Sequence, residues 1–343
     1  MNDFPRMSIY NKSGNFITEI DGNLRSVSWR LGEIGIAQAG FAYTNSKATP
    51  YNLRTGNLLL IEFANGFPDW AGAIDFPLLR DDSGIGITAY QGQHLLGWRD
   101  TATVAIFSAT PPGEITEALI LAANALAPTG ITIQDLYAGS SFTRDYHVEN
   151  LLTAIDGLAA DSGYEYEIAP TRIKNKLFLD LYWKERAGID RRDEVALVQG
   201  GLDANVGTVS ISEQGPCYNH ITVIGAGDDW ASRPIKTAVD IESISKFGRR
   251  ELSILRLEIA DETTLQAIAD EKLAVHKEPP VRLSLGNVTS SGPGLYSQYH
   301  VGDIVTVQAL QSRGEWSFTG PARLIAREWA AGGTCSLIAE EVP

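Results

Sequence analysis

Gly56-Asn57-Leu58-Leu59-Leu60-Ile61 runs on to Trp70-Ala71-Gly72 and, fifteen residues further, to Ile87-Thr88. Near the other end of the chain, Gly302-Asp303-Ile304-Val305-Thr306-Val307 runs on to Phe318-Thr319-Gly320 and, after the same fifteen residues, to Cys335-Ser336. The first two glycines of the frame stand sixteen residues apart in one copy and eighteen in the other. A two-residue change of that kind is what a loop absorbs. Each copy reads as a turn, a strand, a hairpin loop, a second strand opening at aromatic-x-Gly, a glycine turn (Gly84 to Gly86; Gly332-Gly333) and a third strand. One small β module is therefore carried twice.

The composition frames what lies between the copies. The 343 residues fit two or three domains, and 44% hydrophobic with 20% charged residues describes a folded chain. No apolar run approaches the roughly 18 residues of a membrane span, and Met1-Asn2-Asp3-Phe4-Pro5-Arg6 does not read as a signal peptide. The two cysteines, Cys217 and Cys335, form no CxxC pair, which excludes a zinc ribbon or a disulfide framework and leaves both expected reduced and buried. The net charge is −14, with 8 basic and 10 acidic residues in 1–110, 8 and 14 in 111–200, and 12 and 18 in 201–343. No segment is basic, so clustered phosphate contacts of the kind that drive nucleic-acid binding are not expected.

Outside the frame, residues 24–107 read almost wholly as short strands with glycine turns: Leu24 to Trp29 alternates, Ile34 to Phe41 is small on both faces, and Asn65-Gly66 makes a hairpin turn. At Thr110-Pro111 the period changes. Thr110 is expected to cap a helix with Ile115, Leu119, Ala122 and Leu126 on one face, ended at Pro128-Thr129-Gly130. A second helix is expected over 148–161, then a hairpin pairing Tyr164 to Ala169 with Leu177 to Trp183 through a turn at Pro170 to Asn175. Strands return at Val206 to Ser212 and Tyr218 to Ile224, Asp228-Asp229-Trp230 breaks them, and Asp261 caps a further helix stopped at Pro279-Pro280. The fold class is mainly β with an α+β insertion: two similar small antiparallel β-barrel modules plus a split α/β domain. The first module takes 1–108, the insertion 109–195 with 229–280, and the second module 196–228 with 281–343.

Residues that could carry chemistry have structural readings that fit better. Glu165 and Glu167 alternate on a strand, with carboxylates about 6–7 Å apart, at the edge of glycosidase spacing. The opposite face holds Tyr164, Tyr166 and Ile168, the pattern of a half-buried hairpin with a solvated acidic side. Asp81-Asp82 beside a glycine turn reads as solvated loop. His94, His147, His220, His276 and His300 are dispersed and form no HExxH. Gly225-Ala226-Gly227 falls short of a dinucleotide fingerprint, and no P-loop or GxSxG elbow is present. Trp70 and Phe318 occupy matching positions and read as core aromatics. Arg249-Arg250 fits either an acidic partner or solvent. No catalytic, cofactor-binding or metal site is assigned.

With these elements in place the chain resembles the baseplate hub proteins of phage tails and related contractile injection systems, and the tail-associated proteins of long non-contractile tails. The likeness is carried by Leu58 to Trp70-Ala71-Gly72 followed by Gly92-Gln93-His94-Leu95-Leu96, by Ser243-Ile244-Ser245-Lys246-Phe247-Gly248-Arg249-Arg250-Glu251, and by Val301-Gly302-Asp303-Ile304-Val305. Each motif is weak alone, and the likeness rests on their order and spacing over nearly the whole chain. It implies a structural, non-enzymatic virion protein at the tail tip or baseplate, assembled in the host cytoplasm. It further implies a homotrimer whose two modules alternate round a pseudo-sixfold ring, adapting a hexameric tail tube to a threefold spike and leaving an axial channel. The implied partners are the tube ring, the spike or tip protein, the tape measure protein and other baseplate proteins, with no specific nucleic-acid binding although DNA passes the channel. Many members of this group continue into a spike or lysozyme-like region, whereas this sequence stops at Glu340-Glu341-Val342-Pro343, so the resemblance assigns any piercing piece to another polypeptide. Two rivals from other classes are a tail-tip enzyme cutting cell wall with Glu165 and Glu167, and a carbohydrate-binding β module.

Overall fold

The computed structural model describes residues 5–342 except 65, 82–83, 102–104, 214, 228, 258, 290–296 and 311–316; the side chains of 76–81 and 310 are also left aside. The chain divides into two compact units, residues 1–209 with 284–339 and residues 210–283 with 340–343. This grouping by compactness cuts the chain differently from the three-part division read in the sequence.

Unit one opens with β1 (Arg6–Tyr10), β2 (Phe16–Glu19), β3 (Asn23–Arg30), β4 (Ile36–Phe41), β5 (Leu58–Glu62), β6 (Trp70–Asp81) and β7 (Gly84–Gln91). They pair in the order β3-β4-β7-β6-β5-β1-β2. Residues 24–107 thus build this module only together with β1 and β2, which precede them. The Leu58–Ile61 run is buried on both faces: Leu58 and Leu60 pack into the core shared with the insertion, and Leu59 and Ile61 are buried on the opposite face of β5, which pairs with β1 and β6 at its two edges. Gly84 and Gly86 lie within β7 instead of forming a turn; the β6–β7 turn, like Asp82 and Asn65, falls outside the described residues.

The insertion follows as α1 (Gln93–Gly97), β8 (Ala105–Thr110), α2 (Pro112–Leu126), β9 (Ile131–Leu136), β10 (Phe142–Tyr146), α3 (Leu151–Ser162), β11 (Glu165–Ile173) and β12 (Lys176–Lys184). The expected cap at Thr110 is absent: Thr110 ends β8 and donates its hydroxyl to the Ser108 carbonyl, while Pro111 takes the N-cap position with no side-chain bond and Pro112 opens α2. The missing N–H of proline makes it a natural helix opener without such help. The buried stripe of α2 is Ile115, Leu119, Ile120 and Ala123, and Leu126 is turned out to solvent. α3 is capped by the side chain of Asn150 and ended by Gly163 in the left-handed region. The β11–β12 hairpin is longer than the sequence implied, running to Ile173 opposite Lys176. Pro170 is tolerated in it because β11 is the edge of the three-stranded sheet β11-β12-β9.

One continuous core joins this insertion to the first module. Ile115, Leu119, Ile155, Leu158, Leu179 and Leu181 pack in the same cluster as Tyr10, Leu58, Leu60, Ala71 and Ala73. At about 1.5–3 kcal/mol for each large side chain taken out of water, this shared core makes the insertion a part of the module's own folding. Ser162-Gly163 and Pro128-Thr129-Gly130, legible as stops, only decide where the helices end.

β13 (Ala196–Gln199) and β14 (Val206–Glu213) lead toward unit two. There β15 (His220–Ile224), β16 (Ile235–Val239), α4 (Ile241–Phe247), β17 (Glu251–Leu255) and α5 (Glu262–His276) form a three-stranded sheet, β16-β15-β17, under one helix. Its core is Ile221, Val223, Ala238, Leu265 and Ala269. Asp240 and Asp261 accept from the backbone N–H groups of Ser243 and Thr264 and so cap α4 and α5.

The chain returns along β18 (Val281–Val288), β19 (Ile304–Leu310), β20 (Ser317–Ala330) and β21 (Thr334–Glu341). The strands run β19-β13-β14-β18-β21-β20, and β19 pairs back with β20, which closes a six-stranded barrel. Gly332 and Gly333, both at positive φ, make the turn between β20 and β21. The fold is mainly β with an α/β insertion. Strand β20 is long enough to serve twice: Ser317–Arg323 pairs with β19 and Ala326–Ala330 pairs with β3, so thirteen strands form one sheet.

Candidate functional site

The repeated frame is a repeated hydrogen-bonding device. Gly56 at φ 89° and Gly302 at φ 102° each precede a buried polar residue, Asn57 and Asp303. The Gly56 N–H donates to the Ile74 carbonyl (2.9 Å) and the Ile74 N–H to the Asn57 carbonyl (2.8 Å). In the second copy the Gly302 N–H donates to the Leu324 carbonyl (2.7 Å) and the Leu324 N–H to the Asp303 carbonyl (2.9 Å). Both turns thereby lock the start of the module's first strand to its second. Ile61 and Val307 stand at the same place after their glycines, and they lie opposite Trp70 and Gly320 respectively. The ladder thus matches Trp70 with Gly320, and Phe318 has slid two residues along β20. A slip of two leaves every side chain on its own face, so Trp70 and Phe318 are both core aromatics. Trp70 also donates its indole N–H to the Ser28 carbonyl (3.1 Å).

The buried Asp303 also ties the barrel to the segment after β12. Its carboxylate accepts from the N–H groups of Ile189 (2.7 Å) and His300 (2.8 Å) and from Arg191 Nε (3.2 Å). Beside it Arg323, on β20, grips Glu165 of β11 with Nη1 to Oε1 at 2.7 Å and Nη2 to Oε2 at 2.6 Å. Glu165 accepts further from the Ala187 N–H (2.7 Å). Glu167 pairs with Lys184 across the hairpin. The two carboxylates considered for glycoside chemistry are both engaged by cations.

The seam where β20 meets β3 is built of aromatic rings around a buried cation. Arg327, opposite Trp29 in the ladder, is 1% exposed, and its guanidinium lies 4.1 Å from the Phe67 ring centre and 4.9 Å from that of Tyr299. Phe63 meets Trp29 at 5.6 Å and Trp329 at 5.7 Å between centroids. Ring faces offer a cation attraction that water would otherwise supply. Cys335 is buried in the barrel, and burial pushes its thiol up from the ordinary value.

The histidines stay apart. His94 bonds to Asp75 (2.7 Å) and stacks on Tyr90, while His276 meets Tyr218 edge-on. His147 and His300 are exposed and His220 is half-buried. Among the described residues no group of His, Cys, Asp and Glu could hold a metal ion. Arg249 pairs with Glu251, and Arg250 is held through its backbone by Asn219. Cys217 is buried and free.

In unit two, α5 covers one face of the small sheet. The other face carries Ile235, Ile224 and Leu255 in one row and Thr237, Thr222 and Ser253 in the next, with Ile235 and Leu255 about half exposed. Sequence periodicity could mark those strands but not which face a helix would cover.

No protein-family model and no curated protein matches the sequence. Solved structures do. A prophage tail protein of Listeria monocytogenes superposes with TM-score 0.63 at 14% identity, over 98% of this chain and 94% of its own. The 43 kDa tail protein of prophage MuSo2 from Shewanella oneidensis gives 0.63 at 13% identity, covering 98% of both chains. A tail protein from Neisseria meningitidis gives 0.64 at 11%, over 98% and 97%. Across almost all of its length, this chain has the fold of phage tail proteins.

Proposed function

We propose that this protein is the structural hub of a phage or phage-like tail tip, acting as a homotrimer that presents six near-equivalent faces to a hexameric tube. The observation that carries this reading is the internal duplication: two modules with the same glycine lock, joined edge to edge through β20 and β3 in one chain. Three such chains resolve a mismatch between sixfold and threefold symmetry, because three copies of two modules approximate six. The shared fold with phage tail proteins supports the tail setting. In this reading the partners are the tube ring, a central tip or spike protein, the tape measure protein and neighbouring baseplate proteins. The protein has no catalytic role; Glu165 held by Arg323 and Glu167 by Lys184 favour that side of the question.

The charge fits a conduit. A polyanion sliding through a narrow passage is retained by Lys and Arg and released by an acidic wall, and the chain carries −14. Light scattering on the purified protein tests the reading. A mass three times the 37.2 kDa chain is expected, and a well-behaved monomer at micromolar concentration overturns it. A zymogram on purified cell wall is expected to stay blank, and a cleared band would overturn the non-enzymatic part.

A further inference from the structure

The two ends of the three-stranded insertion sheet in unit one carry opposite charge around apolar surface. At one end the β11–β12 turn presents Ile173, 56% exposed, with the exposed Lys174 and Lys176 on either side of Asn175. The β1–β2 turn is fastened beside it, the Phe16 N–H donating to the Asn175 carbonyl (2.9 Å) and the Leu177 N–H to the Gly14 carbonyl (2.8 Å), and it adds the exposed Lys12. A chain of net charge −14 thus gathers three lysines round one apolar knob. At the other end, α2 and the close of β9 leave a groove of about 520 Å3 whose apolar lining includes Leu121, Leu136 and Tyr137, rimmed by Glu114 and Glu117. Leu121 is 56% exposed, and Glu185 adds a third carboxylate beside Tyr137, whose phenol it pushes up. Among the described residues none of Lys12, Lys174, Lys176, Glu114 and Glu117 forms an ion pair.

One chain cannot join its own knob to its own groove. Leu136 lies opposite Trp183 on β12, while the knob sits at Lys176, the first residue of the same strand. At about 3.3 Å per residue the rigid sheet holds the two roughly 23 Å apart. We propose that the knob of one copy seats in the groove of the next, Ile173 against Leu121 and Leu136, with Lys174 and Lys176 facing Glu114 and Glu117. The charges select the partner and fix the register, and the aliphatic side chains leave water. Because knob and groove stand at opposite ends of one sheet, the contact is head-to-tail, and such a contact makes a ring when its rotation closes. The inference rests on the proposed assembly only in needing a second copy, and it names which insertion surfaces meet.

Zero-length carbodiimide cross-linking of the full chain, mixed from isotopically light and heavy batches, tests the contact. Amide links from Lys174 or Lys176 to Glu114 or Glu117 are expected in light–heavy peptide pairs, which only two copies can give. Charge reversal provides the second arm. Glu114→Lys with Glu117→Lys is expected to weaken self-association roughly tenfold or more in a dilution series followed by light scattering, and adding Lys174→Glu with Lys176→Glu is expected to restore it. All four side chains are on the surface, so circular dichroism should not change; should a charge variant misfold, Ile173→Cys mixed with Leu121→Cys is expected to give a disulfide between copies that neither variant gives alone. An oligomer without these links overturns the contact and leaves the hub reading standing, whereas a monomer overturns both. Reversed charges that leave association unchanged, or a fourfold swap that fails to restore it, also overturn the contact.

Discussion

Arg323 holds Glu165 with both arms of its guanidinium, at 2.7 and 2.6 Å, and the same Arg323 donates to the carbonyls of Gly302 and Ala187. This one side chain ties the inserted hairpin to the barrel beside the second glycine lock. The pair is mostly buried, with side-chain exposures of 19% and 26%. Removing one partner strands a carboxylate there, so Arg323→Ala is expected to cost about 2–4 kcal/mol in denaturant unfolding. Arg323→Lys keeps the charge but not the fork, and should recover no more than about half of that loss. A change below about 0.5 kcal/mol for Arg323→Ala would show the clamp to be a surface pair.

The two glycine locks differ in what surrounds them. At Gly56 an added Cβ meets no heavy atom within 4 Å, whereas at Gly302 it falls 2.8 Å from the backbone of Ala187. Both positions have positive φ, so alanine at either carries backbone strain of about 1–2 kcal/mol. Gly302→Ala must in addition displace the Ala187–Gly188 segment, adding about 1–3 kcal/mol. Chemical unfolding of the two variants is expected to rank Gly302→Ala as clearly the more damaging.

What the sequence discloses follows the range of the interactions involved. The turns at Gly56 and Gly302 and the Asp261 cap are local, set by φ and by an acceptor three residues from its donor, and they stand where the sequence puts them. β1 escapes notice because Arg6–Tyr10 is only five residues long, and its strand character comes from partners at Phe16–Glu19 and Leu58–Glu62. The rings packed on the buried Arg327, those of Trp29, Phe67 and Tyr299, come from distant parts of the chain, so no local pattern shows that its guanidinium lies in the core.

Acid sensitivity is expected to begin with two histidines. Desolvation is the main cause holding His276 below the ordinary 6.5, helped by Lys272, and it outweighs Asp303 at His300, whose side chain is half exposed and therefore takes the smaller share of the effect. The unfolded chain then binds more protons than the folded one as pH falls through about 6.5, and stability declines in that window. Asp240 and Asp261, held below 3.8 by their cap hydrogen bonds, lose their contribution only at lower pH. Asp69 and Asp156, raised by burial, act with the opposite sign. Urea midpoints measured from pH 7.5 to 5 should fall, and His276→Gln with His300→Asn should flatten that slope. An unchanged slope in the double variant would assign the effect to other groups.

Helix capping separates two residues that look alike in sequence. Thr110 and Asp261 both precede a helical period, but Asp261 accepts from the Thr264 N–H at 2.7 Å while Thr110 sits at the end of β8 with its hydroxyl on Ser108. Asp261→Ala should therefore cost about 1 kcal/mol, and the loss should appear first as faster amide exchange in the opening turn of α5, since unit two rests on a small core of its own. Thr110→Ala removes no cap and should stay within about 0.5 kcal/mol of the parent. Equal losses at the two positions would mean that the α2 N-terminus depends on Thr110 after all, against the geometry of Pro111 and Pro112.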